Sequence, residues 1–358
     1  MSGKGTTSSR RRFLGTAAGA TGVAIGAALG ASRAAGAIAP DDSSHGQPAG
    51  IGPRAYVASH FALELDTNPS EFVQDVQGGG LKADVIEFQQ GNSSFIQKQL
   101  GSVAFDDIDV QIGVPQATPL LDWIAATWSK NYQRKNGAVV ATDFNYEKKA
   151  RREFFNALIS DVTIPTLDGS SKDAGYLTVT IAPEQIAHKT DSGKLQSATS
   201  KQKLWLTANF RLELDGLDTT KVSKIDSFTV KQQIIEFREG EQRIPQRLPG
   251  KLEFPNLVVT FASASGPSWL SWFEDFVVKG NNGDDKEKSG RIVFLAPNLK
   301  DELGSIDLFH VGIYQLDDGV FDPVNEPSAL MRAYLYVERM KLNVATGGVP
   351  QPTPTPAP

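Results

Sequence analysis

The chain has 358 residues, of which 40% are hydrophobic and 22% charged, with 33 Gly, 20 Pro and no Cys. That composition excludes collagen-like, wholly disordered and disulfide-scaffold proteins, and the length predicts about two domains of ordinary size. Without Cys, thiolate zinc sites and thiol nucleophiles are excluded as well.

The first 39 residues hold Lys4, Arg10, Arg11, Arg12 and Arg33 and no acid, so the remainder carries 31 basic against 41 acidic side chains. A nucleic-acid binder needs a basic face to release counterions from phosphate, and this balance argues against one. Ser9-Arg10-Arg11-Arg12-Phe13-Leu14 leads into an uncharged run, Phe13 to Ala31, that contains five Gly. This resembles a twin-arginine export signal, with Ser9, Arg10, Arg11, Phe13 and Leu14 as its motif and Ala37 or Ala39 as the expected cleavage position. An Ala- and Gly-rich run gives little transfer energy, so export is preferred to an uncleaved membrane span. The expected location is periplasmic, cell-surface or extracellular, reached through the twin-arginine pathway. Residues 40–54 then read as a disordered linker.

From residue 61 the chain matches itself 149 positions later. Phe61-Ala62-Leu63-Glu64-Leu65-Asp66 returns as Phe210-Arg211-Leu212-Glu213-Leu214-Asp215, Ile86-Glu87-Phe88 as Ile235-Glu236-Phe237, and Trp123 as Trp272. Gly91, Gly101 and Phe105 likewise align with Gly240, Gly250 and Phe254. Over 61–131 against 210–280, 18 of 71 positions are identical, where chance gives about one in sixteen. A spacing of this size predicts a duplicated domain and not a solenoid repeat.

The alternation of Phe61, Leu63 and Leu65 predicts a strand with one buried face. Next, Val103 and Phe105 share one parity while Ile108, Val110 and Ile112 share the other. Leu252 and Phe254, then Leu257, Val259 and Phe261, show the same switch, which predicts a β-bulge in each half. A helix follows: Thr118 as cap, Pro119 at the first position, and Leu120, Ile124 and Trp128 inward. The matching inward set in the second half is Trp269, Phe273 and Val277, ending at Gly280. Further strands are predicted at Ala138–Thr142, Phe155–Ile164 and Tyr176–Ile181, then at Arg291–Leu295, Ile306–Leu316 and Arg332–Leu342. The Lys-, Ser- and Gly-rich stretch from His188 to Lys203 reads as a linker, and residues 345–358 as a Pro-rich disordered tail.

The fold class expected from this pattern is mainly β (α+β): two tandem β-barrel or sandwich domains, each with one main α-helix. The expected boundaries are 1–39 signal peptide, 40–54 linker, 55–190 first domain, 191–203 linker, 204–344 second domain and 345–358 tail.

A search for catalysis finds little. Of His45, His60, His188 and His310, only His60 and His310 adjoin strands, and no metal-binding His pair or nucleophile elbow occurs. Asp106, Asp107 and Asp109 are better read as a solvated edge than a Ca²⁺ site. Gly78-Gly79-Gly80 lacks phosphate-loop spacing and reads as a flexible loop. Asn281 to Gly290 lacks the ligand spacing of an EF-hand and reads as a surface loop. Lys148, Lys149, Arg151 and Arg152 form a basic cluster, read first as a solvated strand start and otherwise as a face for acidic partners. The expectation is therefore no enzyme, no cofactor and no metal.

The first half resembles the T4-like phage tail tube proteins, including the inner-tube proteins of contractile injection systems. The resemblance rests on Phe61 to Asp66, Trp123 to Trp128, Arg134 to Val140, Arg151 to Ala157 and Tyr176 to Val179. In the second half it rests on Ile235 to Gly240 and Arg247 to Lys251. It implies tail-tube-like domains that form six-fold rings stacked into a hollow tube, with strands of neighbouring subunits joined. A tandem pair then implies a homo-oligomer of three chains in a pseudo-sixfold ring, with a sheath, baseplate or envelope as further partner. The export leader departs from that family and admits an alternative: an exported monomeric binding or adaptor protein that reuses the fold.

Overall fold

Alternating apolar side chains in the first half build one sheet, and the same pattern in the second half builds another. The computed structural model describes residues 60–66, 71–92, 94–114, 118–195, 205–240, 244–318 and 330–344. In the first half the strands are β1 (His60–Leu65), β2 (Glu71–Val73), β3 (Asp75–Gly78), β4 (Leu81–Phe88), β5 (Gln97–Phe105) and β6 (Ile108–Ile112). After helix α1 (Thr118–Trp128) come β7 (Lys135–Thr142), β8 (Lys148–Ile164), β9 (Leu167–Asp168), β10 (Leu177–Ala182) and β11 (Gln185–Thr190). The second half holds β12 (Phe210–Leu214), β13 (Val222–Ile225), β14 (Phe228–Phe237), β15 (Gln246–Glu253) and β16 (Leu257–Ala262). Helix α2 (Gly266–Phe273) precedes β17 (Lys288–Leu295), β18 (Glu302–Asp318) and β19 (Leu330–Val344). The fold is mainly β, as expected.

The first sheet runs β2-β1-β7-β8-β10-β6-β3 and the second β12-β17-β18-β19-β16-β13-β9. With β1 set on β12, the shared part of the order is the same in both. The registers supply counterparts where the sequence match fades. Val179 lies opposite Val110 on one side and Val162 on the other, and Ala333 lies opposite Val259 and Leu316. Since Val110 matches Val259, Val162 matches Leu316. By the same logic Leu65 and Leu214 pair with Gly137 and Gly290, which places Glu287 at the position of Arg134. Asn156 corresponds to His310, and both have positive φ, 51° and 55°.

One continuous apolar core runs through both halves, from Leu63, Val110 and Trp123 to Trp269, Phe294 and Leu335. Strands also cross over: β14 pairs with β8, and β9 pairs with β13.

Four local expectations are corrected. The parity switch is not a bulge within one strand. β5 and β6 are separate strands in different sheets, broken at Asp106-Asp107, and β15 and β16 break likewise at Phe254-Pro255-Asn256. The inward face of the second helix is Trp269, Trp272 and Phe276, whereas Val277 is exposed. Trp269, Trp272 and Phe276 fall at the i, i+3, i+7 spacing of one helical face, and the last turn, Glu274–Val278, is π-helical. Gly78-Gly79-Gly80 is a fixed bend: Gly78 has φ +76°, and a Cβ there would stand 2.1 Å from the Asp107 carbonyl oxygen. His188 belongs to β11, opposite Arg152, and not to a linker. Just beyond, buried Leu195 donates its N–H to the Tyr146 carbonyl at 2.8 Å.

Candidate assembly interface

The junction between the halves is built on one edge of β8. β7 covers that edge from Lys148 to Ala157, and β14 takes it over from Asp161 to Ile164, with Phe228 opposite Ile164 and Lys231 opposite Asp161. Val162, Ile164, Phe228 and Val230 are all buried there. The Thr163 and Thr229 hydroxyls meet at 2.8 Å, and Ser227 donates to the Ile164 carbonyl at 2.8 Å. Such pairing satisfies backbone groups that burial would otherwise leave orphaned.

Charged groups complete the junction. The Arg247 N–H donates to Glu184 Oε1 at 2.9 Å, and Arg134 donates to both Glu184 and the Arg247 carbonyl. Asn156 donates to Glu184 Oε2 at 3.0 Å. The Arg247 guanidinium reaches the Asp107 carboxylate and the Phe105 carbonyl, the latter at 3.0 Å. Burial holds the Asp107 carboxyl above its ordinary range, against the pull of Arg247. Trp128 packs edge-on against Phe254, with centroids 6.2 Å apart.

The counterpart of each of these pieces is open. β14 and β15 belong to the first sheet, whereas β4 and β5 pair only with each other. Leu81, the counterpart of Val230, is 53% exposed against 1%. Val85, Ile86 and Leu100 on the same hairpin are exposed too. β17 ends opposite Val311, so among the described residues no strand lies on that edge of Gln315–Asp318. Leu121 and Trp128 are buried on α1, while their counterparts Leu270 and Val277 are 48% and 39% exposed. Exposed apolar area of this kind marks an interaction surface.

The remaining expected sites take structural parts. Asp107 meets Arg247, Asp106 meets Lys82 at 2.6 Å, and Asp109 accepts from Thr180 at 2.6 Å, so these acids are partnered and not simply solvated. In the basic cluster, Arg151 and Lys148 pair with Glu64, and Lys149 with Asp143 and Glu147. Arg152 donates to the Gly78 carbonyl at 2.5 Å. His60 stacks on Tyr146 at 4.5 Å. Ser9, Arg10, Arg11, Phe13, Leu14, Ala37 and Ala39 lie outside the described residues, as does the 345–358 tail.

Sequence reasoning missed one cluster: ligand atoms of Glu287, His310 and Glu338 lie within 4.8 Å of one another. His310 Nδ1 is 2.7 Å from Glu287 Oε2, and Tyr336 donates to Glu287 Oε1 at 2.7 Å. Burial first, then Glu287, pushes the Tyr336 phenol well above its ordinary pKa. Glu287 lies just before β17, His310 on β18 and Glu338 on β19, so no local spacing betrays them. Their counterparts Arg134, Asn156 and Glu184 are the junction residues of the first half. Two surface depressions, one beside Lys149 and Asp191 and one beside His60 and Phe72, bring no nucleophile and base together.

Among the described residues the β-rich scaffold thus holds a joined hairpin, a free hairpin and a free strand edge. Residues 57–187 match the family of the T4-like virus tail tube protein gp19, and over that segment the resemblance read from the sequence holds. No curated protein matches the chain. Among solved structures, it is similar to the PVC sheath-tube complex of an extracellular contractile injection system in the extended state. The identity is 21%, the TM-score 0.35, and the match covers 38% of this chain and 93% of that one. It is also similar to the tube-terminating cap of the anti-feeding prophage, at 16% identity and TM-score 0.32, over 43% of this chain and 97% of that one.

Proposed function

We propose that this chain is the self-associating subunit of an exported tail-tube-like assembly, in which three chains close a pseudo-hexameric ring. The two halves descend from one duplicated domain, so each chain supplies two of six positions. Head-to-tail contacts between unlike edges close into a ring when the rotation fits. The observation that supports this reading is the base of the β4–β5 hairpin, where Leu81 is exposed and joins no larger sheet, while the matching Val230 is buried where β14 pairs with β8. Export through the twin-arginine route, on Arg10 and Arg11, delivers the folded subunit to the envelope or beyond, where a sheath, baseplate or envelope component is its further partner.

Light scattering after size exclusion, with negative-stain microscopy, tests the assembly. Rings or tubes are expected, and a monomer across all concentrations supports the adaptor alternative instead. For export, the Arg10→Lys, Arg11→Lys double variant is expected to remain in the cytoplasm; secretion of it at the normal level refutes the leader reading.

A further inference from the structure

The junction inside the chain is a template for a second one, between chains. On the first half, the receiving surface comprises the β8 edge at Asp161–Ile164, Trp128 on α1, and Glu184. On the second half the same positions are Gln315–Asp318 of β18, Val277 just after α2, and Glu338. The edge has no strand on it among the described residues, and Val277 is exposed. On the donating side, Phe228–Lys231 of β14 correspond to Gly79–Lys82, and Arg247 corresponds to Lys98. The hairpin registers agree residue by residue here: Glu236 lies opposite Arg247, and Glu87 opposite Lys98.

We propose that the β4–β5 hairpin of a second copy of this chain adds to the β18 edge, with Leu81 opposite Leu316 and Lys82 opposite Gln315, and that this junction differs in charge from the internal one. It rests on the self-association proposed above and specifies its site. Backbone pairing over Gly79–Lys82 supplies the hydrogen bonds, as strand addition does generally. Leu81 is thereby buried as Val230 is, and Val277 comes to Phe105 of the second copy as Trp128 meets Phe254.

The charges do not carry over. Asp107, which receives Arg247, becomes Asn256, and Arg134, which neutralises Glu184, becomes Glu287. The junction between chains thus brings Lys98 to Asn256, and Glu338 lies beside Glu287, whose carboxylate meets His310 and Tyr336 in place of an arginine. The internal junction, by contrast, pairs Arg247 with Asp107 and Arg134 with Glu184. Assembly between chains is accordingly the weaker contact and responds to salt and to charge substitution, whereas the internal one is part of the fold.

The absence of Cys allows a clean test in the full chain. Neighbouring antiparallel pairs alternate between closer and wider Cα spacing, so one of two adjacent pairs suits a disulfide. The double variants Leu81→Cys, Leu316→Cys and Lys82→Cys, Gln315→Cys are oxidised and run on non-reducing gels. Covalent dimers and trimers are expected from at least one of them, and none from Lys82→Cys with Glu302→Cys at the other end of β18. A wild-type chain that forms rings while neither pair cross-links, or while the control cross-links equally, overturns this site but leaves the self-association standing. A wild-type chain that stays monomeric overturns both.

Discussion

The hairpins β14–β15 and β4–β5 share their register and much of their sequence, yet one is inside the fold and the other stands off it. Val230 is 1% exposed and Leu81 53%. What separates them is only whether a strand edge lies within reach along the same chain. β14 reaches the edge of β8, because the second half follows the first; for β4–β5, the edge proposed above is that of another copy. A surface that looks like a defect in one half is explained by its buried twin in the other.

That comparison is most forcefully broken at matched positions. Trp128→Ala is expected to cost about 3–5 kcal/mol of stability, because Trp128 is buried against Phe254. Val277→Ala, at its exposed counterpart, is expected to change thermal stability by less than about 0.5 kcal/mol while weakening assembly. Chemical denaturation and light scattering on the same samples read both effects.

Next come the hairpin strands. Val230→Asp places an unpaired carboxylate in a buried strand and is expected to cost about 3 kcal/mol. Leu81→Asp is expected to leave the melting temperature unchanged and to abolish ring formation. Equal destabilisation by the two would show that β4–β5 is already packed within the monomer.

A smaller effect is expected at the charged contacts. Arg247→Ala removes a mostly buried guanidinium from Asp107, whose carboxylate is 39% exposed, so the loss is about 1–2 kcal/mol after allowance for solvent screening. Conversely, Lys98→Arg with Asn256→Asp rebuilds that pair between chains and is expected to tighten association about tenfold. Sedimentation at low and high salt reads the gain and its screening.

The smallest effect is on pH dependence. Glu153 is held below the usual carboxylate range by Lys189 and then Arg151, and Glu213 is low because Arg291 and Arg211 outweigh its burial. A lowered carboxyl stabilises the fold fully above its unfolded pKa, about 4.3, and that stabilisation is lost as pH falls through the folded value. Asp107 has the opposite sign, since its raised pKa makes ionisation unfavourable to folding as pH rises. The melting temperature is thus expected to hold down to about pH 5 and to fall below about pH 4. Glu153→Gln and Glu213→Gln should each flatten the acid limb.

Much of this was legible in the residues. The 149-residue offset placed β1 with β12 and Trp123 with Trp272, because strands with one buried face and helices with one apolar stripe keep their periodicity under divergence. The residues of the assembly surface were less legible. Asp107 and Arg247 are 140 positions apart and touch only because the halves share a sheet. The inward face at Trp272 and Phe276 was missed in favour of Phe273 and Val277 because both pairs are apolar i, i+4 steps, and periodicity alone does not choose between them.

Sequence alone determined that the protein is β-rich, lacks thiol chemistry and matches itself at a fixed offset, since all of these follow from residue type and spacing along one dimension. Only the tertiary structure decided which hairpin is joined, which strand edge is left open and where Glu287, His310 and Glu338 converge. Those are properties of non-local pairing: backbone hydrogen bonds and apolar burial between segments far apart in the chain select one partner among edges that are locally alike.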